Sequence, residues 1–76
     1  MWILSQNGKT LICFKDTDYA QVVEAEAVGS WDITLDGSGW STFLGSYPTL
    51  ARAIEVIKDL LEAIKQTSDS YIMPKA

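Results

Sequence analysis

The chain has 76 residues, of which 47% are hydrophobic and 21% are charged, and its net charge is −4 at pH 7. This balance excludes a disordered chain and suffices for one small hydrophobic core, so we expect a single domain over residues 1–76. The six Lys and Arg residues are scattered along the sequence. We therefore expect no nucleic-acid binding, because phosphate recognition needs clustered basic side chains.

The composition also predicts a cellular context. The single cysteine cannot form a disulfide within the chain and favours a reducing compartment. The N-terminal residues lack the basic region and long apolar core of a signal peptide, and no apolar run approaches the roughly 18 residues of a membrane span. We therefore expect a cytoplasmic protein with no membrane association.

Residues 1–14 are predicted to form a β-hairpin, because Asn7-Gly8 is a strong signal for a two-residue type I′ turn between apolar segments. A turn at this position sets the register and divides the apolar residues between two faces. One face carries Trp2, Leu4, Leu11 and Cys13, and the other carries Met1, Ile3, Ile12 and Phe14. Since one helix can cover only one face, we expect the other to be covered by more of the chain or by a second subunit.

A second hairpin is predicted in the middle of the chain. Residues 19–28 are compatible with a strand, although their alanines also permit a helical turn. Residues 31–35 alternate apolar and polar side chains, residues 36–39 form a glycine-rich turn, and residues 40–44 return as the partner strand. Residues 45–48 then lead out of the sheet.

A helix is predicted from Thr49, a natural N-cap, to about residue 65 or 66. Its apolar residues recur with the spacing of a buried stripe, which Val56 and Ala63 widen. The stripe consists of Leu50, Ala53, Ile54, Ile57, Leu60, Leu61 and Ile64. Residues 71–73 could return to the sheet as an edge strand. The order of elements predicts an α+β fold, with an antiparallel sheet of about five strands, made from two hairpins, packed by one C-terminal α-helix.

The sequence offers little for catalysis. It contains no histidine, which removes Ser-His-Asp and Cys-His pairings and the usual general base near neutral pH. Two acidic segments fail as calcium loops, because Gln21 and Phe43 occupy positions that need glycine and glutamate. Glu24 and Glu26 more commonly serve surface solvation than paired-carboxylate chemistry, and Cys13 is expected to be a buried structural thiol. We predict no cofactor, no metal site and no enzymatic activity.

The aromatic residues leave two interpretations open, because large rings either fill a core or anchor a partner. The candidates for a partner or oligomer surface are Met1, Ile3, Ile12, Phe14, Trp31, Trp40 and Tyr47. The leading hypothesis is a non-enzymatic interaction module that forms a homo-oligomer and binds a protein partner. The alternative is an oligomer that binds a small ligand such as a nucleotide signal, with Lys9, Lys15 or Arg52 on the phosphate.

Three segments resemble one family. Residues 1–6, MWILSQ, are similar to the MWIxSQ opening of a family of small uncharacterised proteins from Gram-positive bacteria and their prophages. Residues 44–57 and 71–74 resemble its LGxY…RAxEVL and YxMP segments, while Leu4 and Ala51 replace an arginine and an acidic residue that many relatives carry. The resemblance implies a small strand-rich domain finished by a helix in a bacterial or phage cytoplasm. If the chain is a prophage accessory protein, we expect it to interfere with a host defence or regulatory protein. It implies no assigned activity and no catalytic residue.

Overall fold

The computed structural model describes residues 1–25 and 29–76. In chain order the elements are β1 (Trp2–Leu4), β2 (Leu11–Cys13), β3 (Tyr19–Glu24), β4 (Trp31–Gly37), β5 (Trp40–Tyr47), α1 (Leu50–Lys65) and β6 (Ser70–Ile72). The fold is α+β, as predicted. However, the strands form two three-stranded sheets instead of one antiparallel sheet of about five strands. We call β2-β1-β6 the small sheet and β3-β4-β5 the large sheet.

The first hairpin has the predicted register. Trp2 lies opposite Cys13, Ile3 opposite Ile12 and Leu4 opposite Leu11. The predicted type I′ turn is wrong, because Gly8 has a φ of +73° but Asn7 does not enter the positive-φ region. Asn7 Oδ1 instead accepts hydrogen bonds from Ser5 Oγ at 2.7 Å and from the Lys9 N–H at 2.9 Å. The asparagine therefore stabilises the turn through its side chain.

The edge strand predicted near the C-terminus is present as β6. It runs parallel to β1, with Ile3 opposite Tyr71 and Leu4 opposite Ile72. A parallel neighbour needs a crossover connection, which the large sheet and α1 together provide. The small sheet is therefore mixed and not purely antiparallel.

The large sheet contains the second hairpin and the strand before it. Residues 19–24 form β3, while the part of that prediction over residues 26–28 lies outside the described residues. The β4–β5 hairpin is longer than predicted, because β4 extends to Gly37 and β5 to Tyr47. A β-bulge at Leu44 shifts the register, so that Leu44 and Gly45 are both buried.

Asp36 lies within β4 and not in the turn where the sequence placed it. It is 6% exposed. Its two carboxylate oxygens accept hydrogen bonds from Gln21 Nε2 and Ser41 Oγ. Both partners are on neighbouring strands, so this carboxylate ties the three strands of the large sheet together on the side away from the core.

The helix begins as predicted. Thr49 Oγ1 accepts a hydrogen bond from the Arg52 N–H at 3.1 Å, and α1 then packs on the large sheet. The core consists of Ile3, Ile33, Leu35, Leu44, Tyr47, Ala53, Val56, Leu60 and Met73. One hydrophobic core therefore lies between the small sheet, the large sheet and the helix.

The predicted buried stripe of the helix is too wide. Leu50, Ile54, Leu61 and Ile64 are between 39% and 50% exposed, whereas Ala53, Val56 and Leu60 are buried. A helix that packs on one three-stranded sheet buries only a narrow seam, which here centres on Val56. Among the residues that the structure describes, no helix is long and apolar enough to cross a membrane.

Gln6 joins the two sheets. Its main-chain N–H donates to Leu44 O at 2.7 Å, and its side-chain Oε1 accepts from the Ser46 N–H at 2.8 Å. Its Nε2 donates to Ser46 O at 2.9 Å, to Pro74 O at 3.2 Å and to Lys75 O at 2.9 Å. The residue therefore fills the free edge of β5 and holds the C-terminal segment beside it.

Candidate functional site

The side of the small sheet that points away from the core is an exposed apolar surface. Strand alternation places Cys13, Trp2 and Ser70 in one row and Leu11, Leu4 and Ile72 in the next. We call these residues the outer face. Trp2 is 51% exposed, Leu11 62% and Ile72 69%. No member of the outer face carries a charge, and Ser70 is the one member with a hydroxyl group, so most of this surface would gain from contact with an apolar partner.

The exposed face of the first hairpin is the opposite of the one proposed from the sequence. Ile3 is completely buried, and Met1, Ile12 and Phe14 pack against the core. From the sequence, these four residues are predicted to form part of a partner or oligomer surface. They instead form the inner face of the small sheet, because the helix and the large sheet close over that side. The uncovered face is the one with Trp2.

The nominated aromatic residues are divided between the core and the surface. Tyr47 is 1% exposed and its hydroxyl donates to Pro74 O at 2.8 Å, so it fills the core. Trp31 packs against the core in part. Trp40 is 40% exposed, and its indole lies directly over Gly37. Of these three aromatic residues, Trp40 keeps the most surface for a partner.

Sequence reasoning missed three of the residues with the most exposed apolar surface. Trp2, Leu11 and Ile72 all belong to the outer face, yet none was a candidate. The useful signal was present in the sequence, since both faces of the first hairpin are apolar. That signal could not show which face would turn inward, because the choice depends on the packing of α1 and β6.

The three basic candidates are not brought together within one folded chain. Lys9 precedes β2 and Lys15 follows it, so they lie toward opposite ends of that strand, and both are exposed. Arg52 is committed to the C-terminal segment, since its Nε and Nη2 donate to Ala76 O at 3.1 and 2.9 Å. These residues therefore form no shared phosphate site within the chain.

Two shallow depressions flank the small sheet. One, of about 360 Å³, is bordered by Leu4 and Ile72 of the outer face and by the first turn, with Lys75 at its rim. The other, of about 280 Å³, lies where Met1 and Phe14 approach the C-terminal end of α1. The first depression extends the outer face, so a partner side chain could insert beside Leu4 and Ile72.

Two tyrosine hydroxyls are structural donors. Burial raises the pKa of Tyr71, and the hydrogen bond from its hydroxyl to Asp59 Oδ2, at 2.7 Å, raises it further. Burial also raises the pKa of Tyr47, and the nearby charge of Arg52 opposes that rise. Both hydroxyls are therefore protonated near neutral pH and attach the C-terminal segment to the rest of the chain.

The groups considered for chemistry are dispersed. Cys13 is a free, partly exposed thiol on the outer face and not the buried thiol that the sequence predicted. Glu24 is exposed at the end of β3, and Glu26 lies outside the described residues. Among residues 1–25 and 29–76, no group of three or more His, Cys, Asp or Glu side chains is placed to hold a metal ion.

Comparisons of the chain with protein-family models, with curated proteins and with solved structures find no match. The family resemblance of the sequence stays a prediction. Among the described residues, the outer face is the surface whose shape and composition best fit the binding of another molecule.

Proposed function

We propose that the chain is a non-enzymatic protein-interaction module that binds a partner protein through the outer face of the small sheet. The observation that carries the proposal is the continuous apolar surface formed by Trp2, Leu4, Leu11 and Ile72 across three paired strands. A small domain gains nothing in its own stability from side chains left in water. A partner that covers them supplies the missing contact.

The energetic scale of this surface suits a binding site. Full burial of a large apolar side chain contributes roughly 1.5–3 kcal/mol relative to its exposure. Because Trp2, Leu11 and Ile72 are each more than half exposed, their burial contributes about 1 kcal/mol or more apiece. A tryptophan near the centre of such a surface is the residue type that most often dominates binding energy.

The chemistry fits a protein surface that is itself apolar and carries no strong charge where it meets the outer face.

The partner we propose is a host defence or regulatory protein, in the bacterial or phage context that the family resemblance implies. Support for a protein partner comes from the sheet face, and support for this context comes only from the resemblance. The two parts can therefore fail separately.

The test is affinity capture from lysate of the source cells, quantified by mass spectrometry. The baits are the folded chain and its Leu11→Thr/Ile72→Thr variant, which places a β-branched residue at both exposed strand positions. We expect a specific partner to be retained by the wild-type chain and lost with the double variant. The matched control is Phe43→Thr, a change at an exposed position of the large sheet, which should retain the partner.

Two outcomes would contradict the proposal. The first is a partner retained equally by wild-type chain and the double variant, which would place the binding surface elsewhere. The second comes from native mass spectrometry of gently purified protein. A bound species of a few hundred daltons, with no protein partner, would instead favour the ligand-binding alternative.

A further inference from the structure

We propose that two copies of this chain also associate through the free edge of β3, forming a continuous six-stranded sheet with the two α1 helices on the same side. This surface is separate from the outer face, since β3 belongs to the large sheet. The association is therefore independent of the partner protein proposed above. Its occupant is a second copy of the chain.

The main chain of β3 is available for pairing. In the large sheet β3 is at the end of the order, and no other described segment pairs with its free side. The Ala25 N–H donates to Ser30 O at 3.1 Å, which continues the β3–β4 register by one residue beyond Glu24 and Trp31. Because bonded pairs alternate along an antiparallel ladder, Ala20, Val22 and Glu24 direct their N–H and C=O groups to the free edge.

The other edges are less suited to association. The free side of β5 is filled by Gln6, whose amide bonds the main chain of Ser46. The two edge strands of the small sheet have three residues each, whereas β3 has six. β3 also has no proline, and Glu24 at its end is its one charged residue. Natural proteins usually protect an edge of this kind, and within the described part of the chain β3 has none of the usual devices apart from that terminal charge.

The helix α1 has an exposed apolar flank on the same side of the molecule as the free edge of β3. On one flank of the helix, Arg52 donates to Ala76 O and Asp59 accepts a hydrogen bond from the Tyr71 hydroxyl. This flank therefore faces the C-terminal segment, which Gln6 holds beside β5. The helical period places Leu50, Ile54, Ile57 and Leu61 on the opposite flank. Since β3 and β5 lie on opposite sides of β4, this apolar flank faces the β3 edge.

The apolar flank of α1 adds to the area that pairing of the two β3 edges would bury. Stable interfaces bury about 1,200–2,000 Å² in total, and a short edge ladder alone does not reach this. A two-fold axis at the β3 edge would bring the two helices toward each other over the joined sheet. Leu50, Ile54 and Leu61, each at least 40% exposed, would then be covered by the same residues of the second copy.

Charge selects the register of the pair. In an antiparallel pair related by a two-fold axis, residues that lie opposite each other point to the same side of the sheet, so the axis passes through a residue and not between two. Gln21 and Val22 are the two middle residues of β3, and a register centred on either gives the longest overlap. Centring on Gln21 would place Asp18 opposite Glu24 of the second copy, and like charges directly opposite are destabilising. Centring on Val22 places Ala20 opposite that glutamate and keeps all three free-edge residues in the ladder. We therefore assign Val22 to the axis.

The experiment is sedimentation equilibrium of the full chain at about 100 µM, since association depends on concentration. We expect a species of 16.8 kDa, twice the 8.4 kDa of one chain. The Ile54→Lys/Leu61→Lys variant should lower the association constant at least about tenfold, because it places like charges across the axis. Both positions are exposed and lysine is a good helix former, so the monomer should keep its far-UV circular dichroism.

A second variant tests the edge itself. Glu24→Pro removes one free-edge N–H at an exposed strand end where proline is tolerated, and it should also weaken the dimer. The matched control is Leu11→Thr/Ile72→Thr on the outer face, which should remain dimeric. A wild-type chain that sediments as an 8.4 kDa monomer would overturn the inference. A dimer that survives both disruptive variants, or one that is lost in the control, would do the same.

Discussion

The side-chain amide of Gln6 pairs with the main chain of Ser46 as a neighbouring strand would. Its Oε1 accepts from the Ser46 N–H at 2.8 Å and its Nε2 donates to Ser46 O at 2.9 Å. The same amide also reaches the carbonyls of Pro74 and Lys75. One polar side chain therefore connects the first hairpin, the large sheet and the C-terminal segment.

The first prediction concerns this bridge. Gln6→Ala should lower the free energy of unfolding by about 2–3 kcal/mol, because several hydrogen bonds are lost and the Ser46 N–H loses its partner. Urea unfolding at 25 °C measures the change. The control is Gln66→Ala, which removes the same side chain from an exposed site with one bond to Glu62 and should cost less than about 0.5 kcal/mol. Equal losses in the two variants would show that the bridge contributes little.

The second prediction concerns Gly37, which lies beneath the indole of Trp40. A Cβ atom at this position would overlap the ring. Gly37→Ala should therefore destabilise the fold by about 1–3 kcal/mol unless the ring is removed. A double-mutant cycle with Trp40→Ala, measured by chemical unfolding, should show a much smaller cost of the alanine in the truncated background. Additive effects would mean that the clash is not the cause.

The third prediction concerns the start of the helix. Thr49→Ala removes the acceptor for the Arg52 N–H and should cost about 1 kcal/mol of stability. Thr49→Ser keeps a hydroxyl at the same position and should stay close to the wild-type chain. The two variants are compared by thermal and urea unfolding monitored at 222 nm. If serine cost as much as alanine, the cap would not act through its oxygen.

The fourth prediction concerns alkaline pH. The pKa of Tyr71 is raised in the folded chain by burial and by Asp59, while the unfolded chain has the ordinary value of about 10. The unfolded chain therefore loses this proton first. The contribution of protonated Tyr71 to the free energy of unfolding is therefore fully present below about pH 10 and is lost as the pH rises above that value. The buried hydroxyl of Tyr47 acts in the same direction.

This linkage is measured by urea unfolding between about pH 8 and pH 11. The wild-type free energy of unfolding should fall above about pH 10, and Tyr71→Phe should fall less steeply because it has no proton to lose there. The phenylalanine variant also lacks the bond to Asp59, so the comparison uses slopes and not absolute stabilities. Identical slopes would contradict the role assigned to Tyr71.

Much of the fold could be predicted from local patterns. The register of the first hairpin follows from the place of Asn7-Gly8, and the helix start follows from Thr49. Both are set by residues close in sequence, whose hydrogen bonds and backbone angles need no distant partner. Element ends were less well predicted, because Asp36 and Gly37 resemble a turn in sequence but are held in β4 by contacts with Gln21, Ser41 and Trp40.

The sequence by itself determined the two hairpins, the register of the first, the helix and the presence of more apolar surface than one helix can cover, while it left residues 19–28 open between a strand and a helical turn. Only the tertiary structure decided that Ile3 faces the core and Trp2 faces outward. The reason is that both faces of the first hairpin are apolar, so hydrophobic alternation cannot distinguish them. The helix and the large sheet close over the side that carries Ile3, and Gln6 holds the small sheet in place through Ser46 and Lys75, contacts that join residues up to 69 positions apart along the chain.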